Sequence, residues 1–453
     1  MTGETTDARQ APGPKGWPVV GSLFEMRRQG ILDFWTEAWR AYGDVVQTTV
    51  GPMTLIQFVR PEHVQEILVT KRDTFVKGLS HDTLRLPLGR GLLTAEGELW
   101  RRQRRLMAPT YTPRGVKGYA AIMLDATDRM LARWRTIPDG MPLAMNVEMM
   151  RLAMSVISRS VFTIDIGEEF AEAGEALGVI LDFASARTVS PVSPPLWVPT
   201  PLNRRFKWAL ATMDDFLYGI IARRRSQPSG DDLLWQLMAV RDEETGAPMS
   251  DEQLRDEVLI TFFAGHETTA QLLTWAWYLL ACHPEVEARF HGELDGVLRG
   301  RRPGVDDLEP LCYTRMIMDE VLRLYSPVAT MARDAVADAE VGGYHVPAGS
   351  IVTICPYVTH RHPEFWARPG DFYPEHFEPQ AVEARPRYAY YPFGAGPRVC
   401  LGKHFALLEA ALVLAEVGQR YRPRLVSDEP VGVRWSGTLR PDRDVMMRLE
   451  ERG

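Results

Sequence analysis

Phe393-Gly-Ala-Gly-Pro-Arg-Val-Cys-Leu-Gly402 is the stretch on which the reading of this chain turns. Its glycines and proline keep it out of a helix. An apolar run with helical spacing, Phe405-Ala-Leu-Leu-Glu409-Ala-Ala-Leu-Val-Leu-Ala415, follows at once. Cys400 therefore stands just before a helix N-terminus, where unpaired amides and the positive dipole end favour an anion. A thiolate is such an anion, and it is a soft ligand for iron. Gly394, Gly396 and Gly402 would let backbone approach something large and flat. Arg398, two residues before the cysteine, could pair with a carboxylate on that object.

The composition is that of an ordinary globular protein, with 453 residues, 45% hydrophobic and 25% charged. A formal net charge of −7 argues against nucleic acid as the general partner. Cys282, Cys312, Cys355 and Cys400 show no paired spacing, so neither a disulfide frame nor a zinc site is expected. Met1 to Ala11 is polar and carries no apolar segment that could span a membrane. The expectation is a cytoplasmic protein without a membrane anchor, a single domain over 1–453 in which 1–11 are flexible.

Other stretches carry chemistry. Ser250-Asp-Glu-Gln253 is a capping box opening the longest helix, expected from about Asp251 to Ala281 with its stop at His283-Pro284. In its middle lies Ala264-Gly-His-Glu-Thr-Thr269, where Gly265 would permit a flat partner or a local opening of the helix. Glu267 and Thr268 set an acid beside an alcohol. Alone, the pair reads as a helix-bending threonine bonded to an earlier carbonyl, next to an exposed glutamate. Glu320-Val-Leu-Arg323 places both charges on one helix face, as do Trp100 and Arg104 within the basic helix Glu98 to Met107. Arg101, Arg102 and Arg105 are expected at solvent, forming with Lys403 a positive face. Val45–Val50 and Thr54–Val59 read as a hairpin about Gly51-Pro52; Gly343–Gly349 and Ile351–Cys355 read as hairpin strands. Lys77 to Gly97, broken by glycines and Pro87, reads as a loop. The proline-rich connector from Pro191 to Pro201 reads from its residues as a stiff surface loop, and Gln227–Gly230 as a break.

Taken together, Phe393, Gly396, Arg398, Cys400 and Gly402, continued by Phe405, Ala406 and Glu409, resemble the haem-binding signature of the cytochrome P450 family of haem-thiolate monooxygenases. The likeness runs over nearly the whole chain and is most specific from Ser250 to Glu409. It implies a mainly α fold with small β-sheets, a triangular single domain with haem b (iron protoporphyrin IX) between the long helix and the cysteine loop. It implies that Cys400 is the axial iron ligand and that Phe393 and Gly402 shape its loop. Trp100, Arg104, Arg333 and Arg398 would hold the propionates, and Glu267 and Thr268 would serve oxygen activation. Glu320 and Arg323 would form a structural ion pair. Where many members have an arginine as the third partner, this chain has His376, a shorter and conditionally charged side chain. Leu84, Leu88, Phe262, Phe263, Val328, Ala329, Met331 and Thr438 would line the substrate cavity.

The implied activity is insertion of one atom of dioxygen into an apolar terpenoid, fatty acid or polyketide-like compound by a monomer. Electrons would come from a ferredoxin with its reductase, or a flavodoxin-type donor. Two alternatives are a peroxide-driven peroxygenase, which would usually show an arginine in place of the acid–alcohol pair, and a non-catalytic haem-thiolate sensor.

Overall fold

The computed structural model describes residues 8–78, 81–163, 168–188, 194–226 and 232–452. The break expected at 227–230, the first part of the proline connector (191–193) and residues 1–7 lie outside the described residues. Secondary structure is mainly helical with small sheets, and the chain divides into two compact units.

The first unit takes 1–81, 319–400 and 438–440. Its sheet has five strands in the order Val45–Val50, Met53–Phe58, Ile351–Ile354, Met331–Ala335, Phe75–Val76. The hairpin about Gly51-Pro52 forms as the turn residues require, with Val50 facing Met53. Ile351–Ile354 does not pair with Gly343–Gly349, contrary to expectation. It runs parallel to Met53–Phe58 and antiparallel to Met331–Ala335, while Tyr344–Val346 pairs with Ala339–Val341. Alternation of Val and Ile fits either pairing, and partners far along the chain leave no local mark. Ile56, Phe58, Ile67, Phe75, Val352 and Ile354 close the core on one side of this sheet. Residues 8–11, expected to be flexible, are tied down. Arg9 bonds through both backbone groups to Gly343 and His345, and Ala11 is buried.

The second unit takes 82–318, 401–437 and 441–453. The long helix runs Asp251–Cys282, 32 residues, or about 48 Å at 1.5 Å per residue. Ser250 caps it by accepting the Gln253 N–H, and Pro284, which cannot continue the ladder, starts the next helix. Nearly every side chain from Leu254 to Leu280 is buried, so the helix is enclosed on most of its faces and runs through the core of this unit. It packs most extensively on Met145–Phe162. Lys77 to Gly97 is not wholly irregular, as Asp82–Leu88 is helical despite Pro87. A three-stranded antiparallel sheet, Leu143–Ala144, Met446–Glu451, Tyr421–Leu425, completes this unit.

Candidate active site

The cysteine loop belongs to the first unit. From Tyr391 it bends twice: Gly394 N–H donates to the Tyr391 carbonyl at 2.9 Å, and Gly396-Pro-Arg398 forms one 3-10 turn. Cys400 N–H then donates to the Phe393 carbonyl at 2.8 Å, closing the loop with the cysteine at its exposed end. Gly396 has φ +67°, and a Cβ there would stand 2.3 Å from the Leu68 carbonyl oxygen. Only glycine fits. The helix Lys403–Arg420 starts three residues beyond the cysteine, and Gly402 occupies its N-cap. Cys355 contrasts with Cys400. It is fully buried, its Sγ lies 3.2 Å from the Ala329 carbonyl, and burial pushes its pKa up to about 12. That thiol stays protonated and inert.

Among the described residues no group of three or more His, Cys, Asp or Glu side chains could hold a metal ion. An iron bound by Cys400 would need its remaining donors from a cofactor, which is what a porphyrin provides. An exposed thiol at the end of a tight, glycine-dependent loop fits that group.

Behind the loop lies a buried polar cluster in the same unit. The Glu320 carboxylate receives two hydrogen bonds at 2.7 Å from Arg323, one at 2.9 Å from the Tyr373 N–H and one at 3.1 Å from His376 Nδ1. Arg323 spends its remaining donors on the carbonyls of His360, Pro369 and Asp371. A buried ion pair survives only with such satisfaction. His376 thus stands as the third partner of Glu320 and Arg323. A residue the sequence did not flag joins it: Arg385 donates to the His376 carbonyl and stacks on Trp366, its guanidinium carbon 3.7 Å from the ring centre. Burial lowers the Arg385 pKa to about 10. Nothing in the Glu383-Ala-Arg385-Pro sequence announces this, because its partners are distant in the chain.

Elsewhere in this unit, Arg333 sits on the strand Met331–Ala335, next to the central one, is buried and bonds the Ala332 carbonyl. Leu439 N–H donates to Pro327 at 2.9 Å and brings Thr438 beside the turn that carries Val328 and Ala329. Val328 is exposed and Met331 half-buried, whereas Ala329 is wholly interior.

The second unit holds the other predicted residues. On the long helix Glu267 is buried, not exposed, and the Thr268 hydroxyl donates to the Ala264 carbonyl at 2.7 Å. The helix shows no opening at Gly265. A Cβ at Gly265 would come 2.7 Å from Ile157 Cδ1, so this glycine admits the neighbouring helix Met145–Phe162. Ala264 is exposed, and Phe263 and Thr268 are half-buried, an open patch midway along an otherwise enclosed helix. Phe262 turns inward against Phe162 and His266, and the His266 Nδ1 bonds the Phe262 carbonyl. Leu84 is half-buried and Leu88 interior. Trp100 and Arg104 are half-buried on the helix Gly97–Met107.

Two acids near the start of the long helix hold the segment after Leu88. Asp256 accepts the Arg90 N–H at 2.7 Å and Glu257 the Leu92 N–H at 3.0 Å. Burial pushes the Glu257 carboxyl up to about 8, so it is largely protonated at neutral pH. The signal was a glutamate inside an apolar helical run. The positive face expected from Arg101, Arg102 and Arg105 is reduced. Arg102 reaches Asp242, Arg105 reaches Glu244 at 3.1 Å, and Arg101 pairs with Glu98. No helix among the described residues is long and apolar enough to cross a membrane.

The model of one family, described as Cytochrome P450, matches residues 11–445. The chain is 34% identical to cyclooctatin synthase of Streptomyces melanosporofaciens, over 92% of this chain and 90% of that protein. It is 36% identical to cyclooctat-9-en-7-ol 5-monooxygenase of the same organism, over 91% and 89%. Pentalenene oxygenase of Streptomyces avermitilis is 32% identical, over 100% of this chain and 99% of that one. The crystal structure of the cytochrome P450DA heme domain superposes with a TM-score of 0.91 at 29% identity, covering 98% of both chains.

Proposed function

The chain belongs to the cytochrome P450 family and is a haem b monooxygenase, and from that premise we propose that it oxidises a cyclic terpenoid, with Cys400 as the residue that would hold the iron. The terpenoid reading is favoured over fatty acids and polyketides by the relatives, one named for cyclooctatin, one for cyclooctat-9-en-7-ol and one for pentalenene. The observation that carries it in the structure is the open patch Phe263, Ala264 and Thr268, apolar apart from one hydroxyl. Such a surface selects by shape and offers little to a carboxylate.

Bound haem supplies the reductive splitting of dioxygen and the insertion of one oxygen atom into a C–H bond. The chain's own residues do the rest. Cys400 would hold the iron through its thiolate, with its loop fixed by the Phe393 carbonyl and Gly396. Arg333 and Arg398, with Trp100 and Arg104, are assigned to the propionates, and Phe393 and Gly402 to the walls of the cofactor site. Thr268 holds a hydroxyl on the open patch, where it can give and take a proton, and Glu267 is its ionisable neighbour. In the first unit Val328, Met331 and Thr438 retain accessible surface and are assigned to substrate contact, while Ala329 is interior; in the second unit Leu84 is assigned likewise, while Leu88 and Phe262 are interior. Electrons are assigned to a separate ferredoxin and its reductase.

The test is a panel of cyclic terpenes, long-chain fatty acids and macrolides, scored by the ferric spin-state shift of the purified holoenzyme. Positive compounds are then turned over under ¹⁸O₂ with a surrogate ferredoxin system. A terpene that shifts the spin state and gains one labelled oxygen is the expected outcome. Selective binding of fatty acids, or product formed with peroxide alone and not with dioxygen and reductant, would overturn the proposal.

A further inference from the structure

His360 lies outside every motif singled out in the sequence, yet it connects the Glu320–Arg323 cluster to the cysteine loop. Its side chain is completely buried in the first unit. Nε2 lies 3.0 Å from the Tyr391 N–H, and Nδ1 lies 3.3 Å from the Arg323 carbonyl oxygen. A backbone N–H can only donate and a carbonyl can only accept. The ring must therefore be neutral, with its proton on Nδ1 and its lone pair on Nε2. His360 also offers its own carbonyl to Arg323 at 2.8 Å, so residue and partner hold each other twice.

Tyr391 is where the loop begins. Its N–H is taken by His360, and its carbonyl takes the Gly394 N–H. Its hydroxyl lies 2.9 Å from Thr359 Oγ1, which itself donates to the Val59 carbonyl on the sheet side of the unit. Phe393, two residues on, then receives the Cys400 N–H. A continuous set of hydrogen bonds therefore runs from Arg323 through His360 and Tyr391 to the backbone of Cys400.

We propose that His360 is a positioning residue that holds the Cys400 loop in its ligand-presenting shape by accepting the Tyr391 N–H on an unprotonated Nε2. The proposal rests on the assignment of Cys400 as the iron ligand. Its surroundings keep the ring neutral. The guanidiniums of Arg323, Arg361 and Arg385 face it, the rings of Trp366, Tyr390 and Tyr391 enclose it, and the Glu320 carboxylate is already committed to Arg323 and His376. Burial first, then Arg323, holds its pKa well below the ordinary imidazole value. Protonation would set an N–H against the Tyr391 N–H and break the connection.

Two variants separate positioning from mere packing. In His360→Gln the amide oxygen reaches the place of Nε2 and can still accept from Tyr391, while the donor to Arg323 is lost. His360→Asn keeps a donor near Nδ1 and loses the acceptor. The readouts are the fraction of holoprotein with a thiolate-type ferrous-carbonyl absorption and the rate of haem transfer to apomyoglobin. His360→Asn should shift the balance toward the non-thiolate form by roughly tenfold relative to His360→Gln, the scale of one buried hydrogen bond. Equal behaviour of the two variants would overturn the proposal. Should neither variant fold, the wild-type holoprotein decides: on acidification, exchange protection of the Tyr391 amide and the thiolate-type absorption should be lost together. Loss of one without the other would contradict it. A wild-type protein lacking the thiolate-type absorption would instead overturn the Cys400 assignment itself.

Discussion

The carboxylate of Glu320 shows how much of this protein is decided by single buried groups. With Arg323 paired to it and His376 donating a neutral-capable N–H, the charge of one acid meets one certain cation. Arg385 brings a second guanidinium to the same cluster, from a position no pattern marks. Arg385→Ala removes a donor to the His376 carbonyl and a cation from the face of Trp366, and should cost about 2 kcal/mol. Urea unfolding with haem bound would show the loss, and Arg385→Lys should restore little, because a lysine cannot stack and donate together. Thr268 is the other residue whose role can be isolated. Thr268→Ala deletes a hydroxyl that now only back-bonds to Ala264. Haem and substrate binding should survive, while product per reductant consumed falls and hydrogen peroxide rises, since loss of a positioned proton-transfer group typically costs about 10²–10⁴-fold in its step. Unchanged yield of product per reductant would mean the threonine only bends the helix.

At the scale of elements, the long helix was readable because its limits are local. Ser250 caps one end and Pro284 follows the other, and neither needs a distant partner. The sheet was not, since Ile351–Ile354 could pair with any alternating neighbour and takes two strands remote in sequence. Gly265 was read for the right property, and the element that comes close in the structure is the helix Met145–Phe162. Closeness was legible in a glycine mid-helix, but which element comes close is a tertiary fact. Gly265→Ala should gain about 1 kcal/mol in helix propensity and lose about 1–3 kcal/mol to the contact with Ile157. Ile157→Ala should turn the substitution from harmful to favourable in a double-mutant cycle, and additivity would contradict the packing described. Glu257 gives the helix a pH signature. Its pKa is raised from 4.5 to about 8 in the folded state, so between those values the unfolded chain holds fewer protons than the folded one. Its contribution to stability is therefore full below about pH 4.5 and falls as pH rises toward 8. Glu257→Gln keeps an acceptor for the Leu92 N–H and should flatten the decline in melting temperature from pH 5 to 8. An unaltered slope would show that another group sets it.

For the whole molecule, the family was legible in short motifs, because each is a local arrangement of a few residue types; the roles proposed for Cys400, Glu267 and Thr268 rest on those same motifs. What lay out of reach were connections: Arg385 to His376, His360 to Tyr391, and the carboxylates that pair with Arg102 and with the still exposed Arg105. The last of these bears on electron supply, since a chain of net charge −7 with fewer unpaired arginines than expected offers a weaker basic face to an acidic donor. All of it depends on a thiolate at Cys400 reaching iron. The most direct measurement is the ferrous-carbonyl absorption of the haem-loaded protein beside its Cys400→His and Cys355→Ala variants. Wild type and Cys355→Ala should both show the thiolate-type band, and Cys400→His should bind haem and show only the imidazole type. A thiolate-type band that survives in Cys400→His, or is absent from the wild type, would contradict this account.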